Sequence, residues 1–230
     1  MKRSAINKAI QRTLQVLEAN NYKLPAFGYW DLETWRKNKD KVGEITQLML
    51  GWDVTDYGED AFEKAGAVLF TVRNGNINDP TLGTPYAEKI IYVCHQSEQE
   101  IPFHFHRLKT EDIINRAGGT LMLELYNSTA DNRLDKNSDV VVKMDGITHR
   151  FAPGEFVSVK PGCSITLAPG LFHRFWADRA SGPLVIGEVS SINDDLCDNV
   201  FLNPIKRFSD IEEDELPIHP LCIEYETLLS

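Results

Sequence analysis

An all-β domain behind a helical N-terminal extension is the fold class this sequence predicts, and three observations predict it. After Gly66, short runs rich in β-branched and aromatic residues follow one another, punctuated by Gly, Pro, Asn and Asp, as in a strand-rich chain. Few helical periods interrupt those runs, which argues for an antiparallel sandwich or barrel. Before Gly66, by contrast, Ile6, Ile10 and Leu17 recur at helical spacing with Ala9 and Leu14 beside them. The 230 residues fit one structural domain, since all-β barrels run to about 250. Within it, residues 1–65 are expected to form a mainly helical extension packed on the barrel, and residues 66–230 the barrel with a C-terminal tail.

The elements follow in order. The first helix is expected to start at Ser4 as N-cap and to end at the Asn20-Asn21 pair. Residues 31–50 carry Trp35, Leu48 and Met49 among charges and read as a second helical segment. Strands are expected at 67–72, 88–93, 102–106, 120–126, 140–144, 155–159, 164–167, 173–177 and 184–189. The polar stretch 127–139 reads as a surface loop. In the tail, Asp210-Ile211-Glu212-Glu213-Asp214-Glu215 reads first as a solvated acidic face.

Composition excludes several functions. The net charge is −10, with 34 acidic against 24 basic residues and no dense Lys/Arg run. Nucleic-acid phosphate and anionic membrane surfaces need concentrated positive charge, so neither is an expected partner. No stretch reaches the about 20 apolar residues of a membrane-spanning helix, and Met1-Lys2-Arg3-Ser4 opens onto no signal-peptide core. Cys94, Cys163, Cys197 and Cys222 are scattered without a C-x-x-C pair. They read as reduced thiols of a cytoplasmic protein, in which the Asn127-Ser128-Thr129 sequon is chance.

The chemistry concentrates in Pro102-Phe103-His104-Phe105-His106-Arg107-Leu108-Lys109-Thr110-Glu111. On a strand, His104 and His106 share one face while Phe103 and Phe105 take the other. Two imidazoles so placed reach one metal ion, and Glu111, beyond a turn at Lys109-Thr110, can bring a carboxylate to the same point. Half-buried histidines with ordinary hydrogen bonds are the plainer alternative for an isolated H-x-H. Imidazole with carboxylate suits a borderline divalent ion such as Mn, Fe, Co, Ni or Zn.

These residues resemble the first motif of the cupin superfamily: His104-x-His106, four residues, Glu111, six residues, Gly118. Gly162, Gly170 and His173 resemble the second, with His173 as its ligand. Glu98 and Ala177 depart from the usual Gly and Asn, and Pro169 is displaced by one, but all four ligand positions are occupied. The resemblance implies a jelly-roll barrel, a double-stranded antiparallel β-helix. It does not fix a reaction, because one fold hosts many.

A closer resemblance narrows the choice. His104 to Gly119, with Glu111-Asp112-Ile113-Ile114-Asn115-Arg116-Ala117-Gly118-Gly119, is similar to the D-lyxose isomerase family. So are Met1-Lys2-Arg3-Ser4-Ala5-Ile6-Asn7, Gly187-Glu188-Val189-Ser190 and Asn193-Asp194-Asp195. This resemblance implies a homodimeric, usually Mn-dependent isomerase that interconverts D-lyxose with D-xylulose, and D-mannose with D-fructose. His104, His106, Glu111 and His173 are then the metal ligands.

Proton transfer between C1 and C2 further requires an acid or base. Lys109 sits between two ligands in sequence and is one candidate, with an exposed loop lysine as the alternative. In the acidic tail, alternation lets one of Glu212 and Glu213 face inward, and Glu213 is taken as the base. Glu188 and Asp195 are candidates for binding sugar hydroxyls, against ordinary polar roles in the fold. His95, His149 and His219 lack neighbours at ligand spacing and read as structural. Phe172 and Trp176 either stack on a sugar face or pack in the core. A cupin dioxygenase, distinguished by its need for oxygen, and a non-catalytic sugar-binding cupin are the competing classes.

Overall fold

In the run Val140-Val141-Val142, three identical side chains part company: Val140 and Val142 are buried while Val141 is 51% exposed. That two-residue period, repeated along strand after strand, gives each sheet one inward apolar face. The computed structural model describes residues 1–194 and 197–229. Its strands are β1 (Gly51–Thr55), β2 (Ala67–Asn76), β3 (Asp79–Tyr92), β4 (Glu100–His106), β5 (Glu111–Gly118), β6 (Leu121–Ser128) and β7 (Leu134–Asp135). The chain continues through β8 (Val140–Met144), β9 (Ile147–Phe151), β10 (Phe156–Val159), β11 (Ser164–Leu167), β12 (Leu171–Ala177), β13 (Leu184–Ser191) and β14 (Asn199–Phe201).

Two antiparallel sheets result. One runs β1-β2-β3-β13-β5-β11-β8-β9; the other runs β10-β6-β12-β4-β14, with β7 paired to β6. Between them lies a core that includes Leu69, Ile91, Ile113, Leu123, Val157, Ile165 and Phe175. This is the expected cupin jelly-roll.

The eight-stranded sheet is buried on its outer face too. Helix α1 (Arg3–Ala19) sets Ile6, Ile10 and Leu17 against Trp52, Val54, Val68, Phe70 and Ile90. Neighbours in sequence therefore serve opposite faces: Leu69 and Ile91 point into the barrel, Phe70 and Ile90 toward the helix. Continuous apolar runs such as Ala67-Val68-Leu69-Phe70 are the consequence of that double burial.

Several expectations need correction. Ser4 is not the N-cap of α1; Lys2 holds that position without a side-chain bond, and Ser4 lies inside the first turn. Residues 31–50 are not one helix but α2 (Leu32–Lys37), a 3₁₀ turn at Lys39–Lys41 and α3 (Gly43–Gln47). Asp31 caps α2 by accepting from Thr34 N at 2.8 Å, and Asn38 and Val42 leave helical geometry. The boundary at residue 65 also moves, because β1 already belongs to the barrel. Strand β5 escaped notice because two of its buried positions, Glu111 and Asn115, are polar and mask its alternation.

The acidic run 210–215 clamps α1 rather than facing water alone. Glu212 exchanges backbone bonds with Met1 and Arg3, Asp214 accepts from Ser4 N and Oγ, and Glu215 accepts from Asn7 Nδ2 at 2.6 Å. Arg3 is fully buried and bridges Glu213, at 2.6 Å, to Glu224 just before α4 (Tyr225–Leu228). Glu224 is itself nearly covered, so Arg3→Ala leaves a buried carboxylate uncompensated. Arg3→Ala is expected to lower unfolding stability by about 3 kcal/mol, read as a shifted urea midpoint. Glu213, 56% exposed, is expected to cost under about 1 kcal/mol as Glu213→Gln. Equal losses in the two variants would contradict the clamp.

Candidate metal centre

Period-two geometry puts His104 and His106 on the inner face of β4, while Phe105 turns outward onto Phe172, ring centroids 4.7 Å apart. β12 pairs directly with β4, and the register sets His173 opposite His104. The turn after His106 carries the chain into the other sheet, where Glu111 is the first residue of β5. Both sheets thus contribute to one point. The four side chains are buried, and one ligand atom from each lies within 4.8 Å of all the others.

The donors fit a divalent cation. His104 Nδ1 donates to Pro102 O and His173 Nδ1 donates to Leu171 O, each at 2.9 Å. With the proton fixed there, both Nε2 atoms present bare lone pairs, and these face one another at 3.1 Å. Glu111 Oε1 lies 3.0 Å from His173 Nε2, and Oε2 lies 3.3 Å from His106 Nε2. Neither ring nitrogen of His106 nor Glu111 Oε1 has a hydrogen-bond partner despite burial. Ligand atoms about 3 Å apart are the spacing that bonds of about 2.1 Å to one ion require. Burial, then the neighbouring His173 and His106, hold the His104 imidazole well below its usual range, which keeps it in the neutral form that ligates.

Glu111 is kept ionised by its surroundings. Burial alone would raise its pKa, but the Lys109 ammonium and His106 reverse this and hold it well below the usual carboxylate range. Lys109 Nζ lies 2.8 Å from Glu111 Oε2 and 2.8 Å from Glu188 Oε1, and also donates to Asn193 Oδ1 at 3.2 Å. Burial would lower the Lys109 pKa; the two carboxylates outweigh it, so the group stays an ammonium. Glu188, on β13, stands opposite Lys89 of β3, whose Nζ is 3.9 Å away. Lys89, Lys109, Glu188 and Arg207 line a cleft together with His104, His106 and Glu111. Arg207 is ion-paired to Asp53 at 2.7 Å.

Of the residues singled out from sequence, His104, His106, Glu111, His173, Lys109 and Glu188 come together here. Glu213 does not. It is held by Arg3 at the start of α1 and is absent from the cleft wall, a correction to its expected place as base. Asp195 lies outside the described residues. His219 Nδ1 donates to Trp30 O, 2.8 Å away, and His149 stacks on Phe151; neither joins the cluster. Phe172 is core, fully buried against Phe105. Sequence reasoning missed Lys89, Arg207 and Asp198. A lone lysine within Glu88-Lys89-Ile90-Ile91 was the available signal for Lys89, since a charge flanked by buried strand residues needs a counter-charge inside.

A two-sheet antiparallel barrel with three imidazoles and one carboxylate converging inside it defines a cupin with a complete ligand set. A sequence model of the D-lyxose isomerase family matches residues 1–225, and the chain belongs to that family. It is 42% identical over 226 residues to the D-lyxose/D-mannose isomerases of Serratia proteamaculans and Escherichia coli O157:H7, covering 98% of both chains in each comparison. Among solved structures, the L-ribose isomerase of Acinetobacter sp. DL28 in complex with L-ribose shares its fold (E204 altered to Gln in that protein; TM-score 0.61, 14% identity, 92% of this chain and 98% of that one). The L-ribose isomerase of Cellulomonas parahominis with L-psicose does likewise, at TM-score 0.59 and 16% identity over the same shares.

His173→Ala removes one of the two opposed lone pairs while leaving β12 paired on both sides. The variant is expected to fold, by circular dichroism, and to emerge from purification without stoichiometric metal by elemental analysis. Full metal occupancy in it would remove His173 from the ligand set.

Proposed function

We propose that this chain is a metal-dependent aldose–ketose isomerase that interconverts D-lyxose with D-xylulose and D-mannose with D-fructose. The observation that carries the reading is the Lys109–Glu188 pair beside the four ligating groups, in a chain of the D-lyxose isomerase family. The test is direct: metal-loaded protein is incubated with D-lyxose, D-mannose and other free aldoses, without oxygen, and ketose is measured. No ketose from any of them would defeat the proposal. Activity without oxygen is not open to a dioxygenase.

Mn2+ is the proposed ion, supported by the mixed imidazole and carboxylate donor set and by the family resemblance. A homodimer is proposed on that resemblance alone. Cys94, Cys163, Cys197 and Cys222 form no disulfide, which supports a reducing, cytoplasmic setting.

When bound, a divalent ion supplies Lewis acidity that polarises the sugar carbonyl and acidifies the neighbouring C–H. The protein's own groups then move the proton. Glu188 is the carboxylate on the cleft wall besides Glu111, and Glu111 is committed to ligation. Glu188 therefore takes the role first assigned to Glu213: it lifts the proton from C2 of the aldose and returns it to C1 through an enediol. Lys109, kept as an ammonium, faces the oxygens where negative charge develops and donates to them. It also holds the Glu188 carboxylate in place at 2.8 Å. Burial of both groups excludes water that would otherwise weaken those contacts.

Glu188→Gln keeps the shape but removes the base, so kcat is expected to fall about 10²–10⁴-fold with metal content unchanged. Wild-type turnover in this variant would end the assignment. A carboxylate-borne proton exchanges with solvent in a fraction of turnovers even at a buried site, so turnover in deuterated water is expected to place deuterium on C1 of part of the ketose. Deuterium-free product that retains a label initially on C2 would indicate hydride shift instead.

A further inference from the structure

Two of the three imidazoles have their tautomer fixed by the backbone: His104 by Pro102 O and His173 by Leu171 O. His106 has no such bond, and its Nδ1 is a buried atom without a hydrogen-bond partner. The acceptor that faces it is Asp198 Oδ2, 3.6 Å away. Asp198 is 7% exposed and precedes β14, whose pairing with β4 sets Asn199 opposite His106.

The same carboxylate is sewn to the turn that follows His106. Asp198 Oδ1 accepts from Leu108 N at 2.8 Å, and Oδ2 accepts from Lys109 N at 3.1 Å. Its backbone carbonyl accepts from Arg107 N at 3.1 Å. Three successive amides of the turn thus end on one residue. Oδ2, which accepts from the Lys109 amide, is also the atom that faces the His106 ring at 3.6 Å, so the residue beside a candidate ligand also fixes the backbone from which the ammonium projects.

We propose that Asp198 is a positioning residue. It selects the Nδ1-protonated tautomer of His106, leaving Nε2 free to ligate, and through the same oxygen it holds Lys109 in register with that ligand. Hydrogen-bond partners of metal-bound imidazoles act in this way, and their removal typically weakens metal affinity by about 10–100-fold. Arg107, Leu108 and Lys109 all direct their amide donors to Asp198. The role of Lys109 rests on the isomerase reading above; the role toward His106 rests on the ligand set alone.

The experiment uses Asp198→Asn, whose amide oxygen can still accept from one of the two turn amides, the backbone bond from Arg107 being untouched, with Asp198→Ala beside it. Metal-free protein, prepared by chelation, is titrated with Mn2+ for affinity, and ¹⁵N spectra of labelled histidine report the tautomer of His106. The wild type is expected to show one Nδ1-protonated His106 signal set. Asp198→Asn is expected to lose that preference, to bind Mn2+ about 10–100-fold more weakly, and to melt near wild type when metal-free. Wild-type affinity with an unchanged tautomer overturns the proposal. Weaker affinity with an unchanged tautomer also overturns it, since the loss would then come from the turn. If Asp198→Ala does not fold, Asp198→Asn still decides. Protein that binds Mn2+ normally yet converts no sugar would defeat the isomerase reading and leave this inference standing.

Discussion

The ammonium of Lys109 between Glu111 and Glu188 is the contact on which the rest of the interior depends. A carboxylate taken out of water into a barrel core loses several kcal/mol of hydration unless a counter-charge meets it. Two such carboxylates lie within reach of one another here, and Lys109 touches both at 2.8 Å. The bridge joins the turn after β4 to β5 and β13, so it also ties the six-stranded sheet to the eight-stranded one. Removing the ammonium would leave Glu111 to be neutralised by protonation, and a protonated Glu111 is a poor ligand. Ligation and fold therefore share one electrostatic condition.

What was legible in the sequence follows from which signals are local. The period of two in β11 was readable because its inward residues, Ile165 and Leu167, are apolar and its outward ones, Ser164 and Thr166, are not, whereas in β8 the outward Val141 blurs it. The candidate metal-binding cluster was readable because His104, His106 and Glu111 lie within one strand and turn, and because His173 sits in a motif of its own. Strand β5 was not, since Glu111 and Asn115 face inward there. Arg207 and Asp198 were illegible for a different reason: each acquires meaning only from a tertiary contact that no local pattern encodes, Arg207 against Asp53 and Asp198 beside His106.

Glu213, expected from the sequence as a base, meets a structural partner in this fold. An acidic run near the end of a chain offers carboxylates without saying what they meet. Arg3, 210 positions earlier, is what Glu213 meets, and the fully buried guanidinium there would be intolerable without two carboxylates to receive it. Guanidinium geometry suits that bidentate task better than a lysine would. The clamp holds α1 across the outer face of β1, β2 and β3. Those strands supply Lys89 and, through Asp53, the seat of Arg207. The helical extension is thus remote from the chemistry yet supports the wall of the cleft.

Charge balance inside the barrel points the same way as the geometry. Three cations, Lys89, Lys109 and Arg207, face four carboxylates, those of Asp53, Glu111, Glu188 and Asp198. With neutral imidazoles the set carries one excess negative charge; with a divalent ion held by the four ligands it carries one excess positive charge. A neutral sugar gains little from that surplus. An enediolate, in which negative charge has moved onto the sugar oxygens, gains much more, because the surrounding interior has low polarisability and its charges are already fixed by pairing. Binding that strengthens as charge develops lowers the barrier rather than merely retaining the substrate. The positive surplus that a divalent ion at the four candidate ligands would create is what would favour the charged stage of the proposed reaction.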